Sequence, residues 1–140
     1  MELKQVVFMS QESAECFVPD EHWAIVSIRC PGDEVQLEDG WAKSLYLEFD
    51  DIESFYSGYT RFVYKQADQI IDFLGECVKS ETVDCLAVHC SAGISRSAAV
   101  ALFACEKFAP DLIPMRIGTE RHNTLVLQML NRRFDKKNGV

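Results

Sequence analysis

The sequence predicts one α/β domain with a mostly parallel central sheet flanked by helices. Three observations carry that prediction. Short β-rich apolar runs alternate with long stretches of helical periodicity. One run, Trp23 to Ile28, is apolar almost throughout, as in a strand buried on both faces. No repeat, linker or low-complexity tract interrupts the 140 residues. A chain of this length is most simply a single domain spanning 1–140, which buries roughly two-thirds of its unfolded surface.

In chain order, Val6 to Phe8 is a first short strand and Trp23 to Ile28 a second. A Pro-Gly turn after Cys30 ends the second, and an acidic loop runs on to Gly40. Ser44 to Phe49 alternates apolar and polar side chains and is a third strand. From about Arg61 to Lys79, Phe62, Val63, Ala67, Ile70, Ile71, Leu74 and Val78 recur at helical spacing. A fourth strand, Val83 to His89, leads into a loop that starts at Cys90. A helix from about Ser95 to Phe108 follows and stops at Pro110. The last helix, from about Asn123 to Phe134, carries Leu125, Val126, Met129 and Leu130.

Composition narrows the function. With 48% hydrophobic and 26% charged residues the chain reads as globular rather than disordered or fibrous. A net charge of −8 argues against nucleic acid or an anionic membrane as partner, since both would be repelled on average. Charge is unevenly spread. Acids crowd residues 12 to 53, while Arg116, Arg121, Arg132, Arg133, Lys136 and Lys137 make the C-terminal stretch basic. That stretch is either a solvated face or a basic rim near an anion pocket. The six cysteines lack the spacing of a disulfide scaffold, and Cys77, Cys85 and Cys105 read as inert core thiols. The opening residues lack the apolar run of a signal peptide, and the longest apolar stretch, Ala98 to Cys105, is too short to span a bilayer. A reducing cytoplasm is the expected setting.

The segment that departs from ordinary core is Val88-His-Cys-Ser-Ala-Gly-Ile-Ser-Arg-Ser-Ala-Ala99. In parallel sheets ligands bind at the carboxyl ends of strands, where this loop lies. A loop turning a strand into a helix aims successive backbone N–H groups inward, and the helix start adds partial positive charge. Gly93 permits the backbone angles of such a cradle, and Ser91 and Ala92 leave room for an anion. Together with Ile94 and Ser95 they form the expected anion-binding loop. Arg96 adds a planar fork that matches two phosphate oxygens. The same dipoles favour the Cys90 thiolate. Lowering a thiol pKa from about 8.5 gains at most about 2 kcal/mol at pH 7, so donors arranged around a transferring phosphoryl group carry the larger share. Ser97 is positioned to donate to the Cys90 sulfur as it leaves. His89 is expected to bond backbone carbonyls and stiffen the loop.

His89-Cys90-x5-Arg96-Ser97 with Gly93 between resembles the signature of the cysteine-dependent protein tyrosine phosphatase superfamily, and the short chain looks most like its compact dual-specificity branch. The resemblance extends over most of the chain. It implies a tyrosine/dual-specificity phosphatase-like fold, a cysteinyl-phosphate intermediate, an aspartate acid from a loop some 30 to 40 residues before the cysteine, and no cofactor. Asp50 and Asp51 stand 40 and 39 positions before Cys90. Some compact members carry a similar Phe-Asp-Asp whose second aspartate is the acid, which favours Asp51, although no Trp-Pro-Asp type loop is present. The segment before the last helix resembles the place where compact members carry an Arg and a Pro-Asn. By that resemblance Asn123 bonds the backbone of the Cys90 loop, a role compatible with capping the helix, and Arg116 either braces the same region or sits in solvent; His122 stands where the proline is usual. Arg29 is a further candidate for the pocket rim.

Rival readings are weighed against the same residues. Rhodanese-type sulfurtransferases carry a cysteine loop on a comparable scaffold, but the Arg96-Ser97 pair and the Asp-Asp loop count against them. Low-molecular-weight phosphatases and arsenate reductases place Cys-x5-Arg near the N-terminus, far earlier than Cys90. A phosphate-reading module without catalysis is a different class, disfavoured by the presence of Cys90, Arg96 and a candidate acid together. A metal site from Cys85, His89 and Cys90 would turn Cys90 away from its cradle. The loop side chains carry no extra base, so a phosphorylated protein or peptide is the expected partner rather than a phospholipid. The resemblance implies phosphotyrosine as substrate, with phosphoserine and phosphothreonine admitted by a shallow site.

Overall fold

The computed structural model describes residues 2–114 and 122–139. Four parallel strands form one sheet: β1 (Gln5–Ser10), β2 (Trp23–Arg29), β3 (Lys43–Glu48) and β4 (Cys85–Cys90), in the spatial order β1-β4-β2-β3. The two central strands are the ones with near-continuous apolar sequence, since both of their faces are covered. β3 lies at an edge and alternates, with Ser44, Tyr46 and Glu48 exposed and Leu47 buried.

The two faces are covered unequally. The larger core lies between the sheet and three helices, α2 (Tyr64–Lys79), α3 (Arg96–Phe108) and α4 (Thr124–Lys137), and is built from Val26, Val88, Ile70, Leu74, Phe103 and Leu130 among others. The opposite face holds only a small cluster, in which Ala14, Ile25 and Ala87 meet Trp23, Leu37 and Trp41. A six-residue helix, α1 (Gln11–Cys16), belongs to this layer. Its sequence carries too few turns to show a periodicity, so it was not anticipated; Ser10 caps it by accepting from the Ser13 amide.

Element limits shift in one instructive case. α2 begins at Tyr64 rather than Arg61, because Phe62 is committed to the core, its ring 4.8 Å from that of Phe49, and Val63 is extended. The first turn is closed by Gln66, whose side chain accepts the Val63 amide and donates to the Glu48 carbonyl. No helix among the described residues is long and apolar enough to cross a membrane.

The carboxyl ends of all four strands point to one edge. β4 ends there on Cys90, flanked by Ser10 of β1, by Cys30 just after β2, and by Phe49 just after β3. That edge is where the chemistry-bearing residues gather.

Candidate active site

The loop from Ser91 to Ser95 lies directly on the end of β1. Gly93 has φ +70°, and a Cβ added to it would stand 2.3 Å from both the Met9 carbonyl carbon and the Ser10 nitrogen. Only glycine fits, both for its backbone angle and for its space. The Gln11 amide donates to the Ser91 carbonyl at 3.2 Å, tying loop to α1.

Cys90 is 2% exposed and its Sγ lies 3.2 Å from Ser97 Oγ. Burial opposes the thiolate. The hydroxyl and amide of Ser97, the charge of Arg96 and the Gly93 amide outweigh it, so the Cys90 pKa falls below the ordinary thiol value. The contrast with three other thiols is sharp: burial pushes Cys77 up to about 12 and Cys105 up to about 11, and partial burial with the Asp84 hydrogen bond pushes Cys85 up to about 11. Cys77 and Cys105 are buried, as expected of core thiols, whereas Cys85 is half-buried.

Arg96 is held inside the protein at 3% exposure. Its Nη1 donates to the Phe49 carbonyl at 2.7 Å and to Cys30 Sγ at 3.4 Å, and its Nη2 donates to Ser91 Oγ at 3.2 Å. Its Nε is buried with no partner among the described residues. A buried guanidinium facing neutral acceptors and holding an unused donor favours an anion beside it.

Asp51 follows β3 and reaches the same cavity. Its Oδ1 accepts from Ser95 Oγ and from Asn123 Nδ2, each at 2.8 Å. The cavity, about 670 Å³, is lined by Cys90, Ser91, Ala92, Ile94, Ser95, Arg96 and Asp51, joined by Glu53, His122 and Thr124. Asp50 is not among these residues. Its Oδ2 accepts the Thr60 amide at 2.7 Å while its own amide donates to the Thr60 carbonyl at 2.7 Å, a two-way clamp on the loop that follows.

Two expected contacts are present, each beside a partner the sequence did not indicate. His89 was expected to bond backbone carbonyls, but its closer partner is the Ser27 hydroxyl, 2.5 Å from Nε2, and the Cys90 carbonyl stands at 3.5 Å from Nδ1. The reason is register: Ser27 of β2 sits directly opposite His89. A carbonyl only accepts, so the neutral ring carries its proton on Nδ1 and Nε2 accepts from Ser27. Burial pushes the His89 pKa down to about 4, which keeps the ring neutral. Asn123 was expected to bond the backbone of the Cys90 loop, and its own amide donates to the Ser95 carbonyl at 3.0 Å, while its side chain divides between two other tasks. Oδ1 caps α4 at the Val126 amide, and Nδ2 holds Asp51 and the Ile52 carbonyl.

Arg29 turns to Ser27 Oγ and to the face of Tyr46, and is not among the lining residues. Arg116 lies outside the described residues. The contributions of Cys30, Glu53 and Thr124 were missed, because each acts across a distance in sequence that leaves no local mark. Glu53, for example, accepts from the amide and hydroxyl of Thr124 at the start of α4, 71 residues later. Among the described residues no group of three or more His, Cys, Asp or Glu could hold a metal ion.

No protein-family model and no curated protein matches the sequence. Solved structures do match. A human tyrosine phosphatase-like serine/threonine/tyrosine-interacting protein is 16% identical and superposes with a TM-score of 0.56, over 82% of this chain and 78% of that one. A mouse "putative dual specificity phosphatase", solved with zinc tungstate, is 13% identical with a TM-score of 0.55, over 93% of this chain and 83% of that one. Likeness at this identity establishes the fold: a dual-specificity phosphatase-like α/β domain with a four-stranded parallel sheet.

Proposed function

We propose that the chain is a cysteine-dependent phosphatase that removes phosphate from phosphotyrosine in proteins, and from phosphoserine and phosphothreonine as further substrates. One observation carries this reading: Cys90, Arg96 and Asp51, from separate stretches of the chain, line a single cavity in which the Cys90 thiolate is favoured. The Cys90 sulfur attacks phosphorus and forms a cysteinyl-phosphate. Arg96 and the loop amides hold the equatorial oxygens, where charge is spread in the transition state. Asp51 gives its proton to the leaving oxygen, then takes one from the attacking water. Ser97 donates to the sulfur as the thiolate is expelled. Ser95 and Asn123 hold Asp51 near the loop, and His89 supports the strand end from behind. No step calls for a metal or cofactor.

The substrate class rests on what the loop lacks. Ser91, Ala92, Ile94 and Ser95 present no basic side chain to a second phosphate, which favours a phosphoprotein over a phosphoinositide.

The test is turnover of an aryl phosphate by the purified, reduced protein. Expected are a burst of phenol release, inhibition by vanadate, and a loss on the order of 10³-fold or more in Cys90→Ser. Absence of any turnover in the unaltered protein rejects the enzyme reading and leaves a phosphate-binding module.

A further inference from the structure

Beside the Cys90 cavity lies a second groove of about 370 Å³, and Glu53 lines both. Its floor is apolar, from Leu125 and Met129 of α4, and its walls carry Phe55, Tyr64, Arg61 and Arg132. The loop that supplies Asp51 and the groove's Phe55 is rich in exposed aromatics: Phe55 is 70% exposed, Tyr56 53% and Tyr59 58%. Large exposed aromatics gathered on one loop, with arginines among them, have the composition of a binding surface rather than of ordinary protein surface.

Charge says what the groove takes. Neither Arg61 nor Arg132 forms an ion pair among the described residues; Arg61 lies over the Phe55 ring at 5.7 Å. Arg133, by contrast, is bound to Asp68 at 2.9 Å and lies over the Tyr64 ring. The one acid among the described residues of the groove, Glu53, is turned to the Thr124 amide and hydroxyl at the start of α4. Two guanidinium groups without an ion pair among the described residues therefore line a groove in a chain whose net charge is −8. An acidic ligand is repelled by the molecule at large and attracted here, so any preference for acid is local.

We infer that this groove receives the stretch of a phosphoprotein substrate beside the phosphorylated residue, and selects stretches with aspartate or glutamate next to an apolar side chain. The inference rests on the phosphatase reading for the identity of the residue in the Cys90 cavity, but its test does not need turnover. Pairs of peptides carrying a non-hydrolysable phosphonate analogue of phosphotyrosine, with glutamate or glutamine at each flanking position in turn, are measured for binding to the unaltered protein and to the Arg61→Ala/Arg132→Ala double variant. Both arginines are exposed, so the double variant is expected to fold, and p-nitrophenyl phosphate turnover serves as its control.

The expected result is an acidic peptide bound about tenfold more tightly than its neutral partner at low salt, a preference that shrinks with added salt. In the double variant the difference falls to about twofold or less, with p-nitrophenyl phosphate turnover unchanged. Equal binding of acidic and neutral peptides to the unaltered protein overturns the inference, as does a preference that survives loss of both arginines. A strong preference for a second phosphorylated residue with none for glutamate overturns the carboxylate assignment. Loss of p-nitrophenyl phosphate turnover in the unaltered protein counts against the phosphatase reading alone, and the peptide comparison still decides the groove.

Discussion

At the scale of the residue, Asp50 and Asp51 are adjacent carboxylates with different work. Asp50 is committed to Thr60 by two hydrogen bonds, whereas Asp51 faces the cavity that holds Cys90. If Asp51 is the acid, Asp51→Asn lowers kcat on a phosphopeptide by about 10²- to 10⁴-fold and spares a substrate whose leaving group needs no proton. Asp50→Ala loses about 1 kcal/mol of stability from one hydrogen bond and keeps more of its activity. Steady-state rates on both substrates, with urea melts of each variant, check the pair; a larger rate loss in Asp50→Ala reverses the assignment. His89 makes a prediction in pH. Burial lowers its folded pKa to about 4 from the ordinary histidine value of about 6.5, so the unfolded chain takes up a proton first as pH falls. Stability is full above about pH 6.5 and is lost progressively down to about 4, by up to roughly 3 kcal/mol. Urea unfolding at pH 7 and pH 5 checks it, with a flatter pH response in His89→Gln; an equal slope in both proteins argues that other groups are responsible.

At the scale of the element, Asn123 joins three pieces of the chain. It caps α4, tethers Asp51, and through its backbone amide holds the Ser95 carbonyl at the start of α3. Asn123→Ser separates these roles, since serine is also a good cap but cannot reach Asp51 with an amide donor. Expected is a protein within about 1 kcal/mol of the original in urea melts but with kcat lowered about tenfold on phosphopeptides. Unchanged kcat would falsify the tether. The strand, loop and helix around Cys90 were legible because their signals are local: an apolar run, a glycine, a cysteine and an arginine at fixed offsets. The cap at Asn123 was legible for the same reason. Its bond to Asp51 was not, because nothing in "RHNTLV" records what stands 72 residues earlier. The start of α2 was misplaced by three residues because periodicity counts Phe62 as helical, while packing against Phe49 holds it in the loop.

At the scale of the whole molecule, stability is graded across the sheet. β4 and β2 are central, with buried residues on both faces, while β3 is an edge strand with one face exposed. Native-state hydrogen exchange is expected to leave amides of Leu86–Val88 and Ala24–Ile28 about 10²-fold slower than those of Ser44–Leu47. Faster exchange in β4 than in β3 contradicts the strand order. A rigid centre suits the site, since β4 carries Cys90 at its end and α3 begins with Arg96 and Ser97. By itself the sequence determined the α/β class, the mostly parallel sheet and the Cys90-to-Ser97 loop, because period, turn residues and short motifs act over a few neighbours. Only the tertiary structure decided which aspartate faces the cavity, that Ser27 and not a carbonyl is the closer partner of His89, and that Arg61 and Arg132 share a groove. Those are distances between residues remote in sequence, and the register of the strands and the packing of α2 and α4 set them.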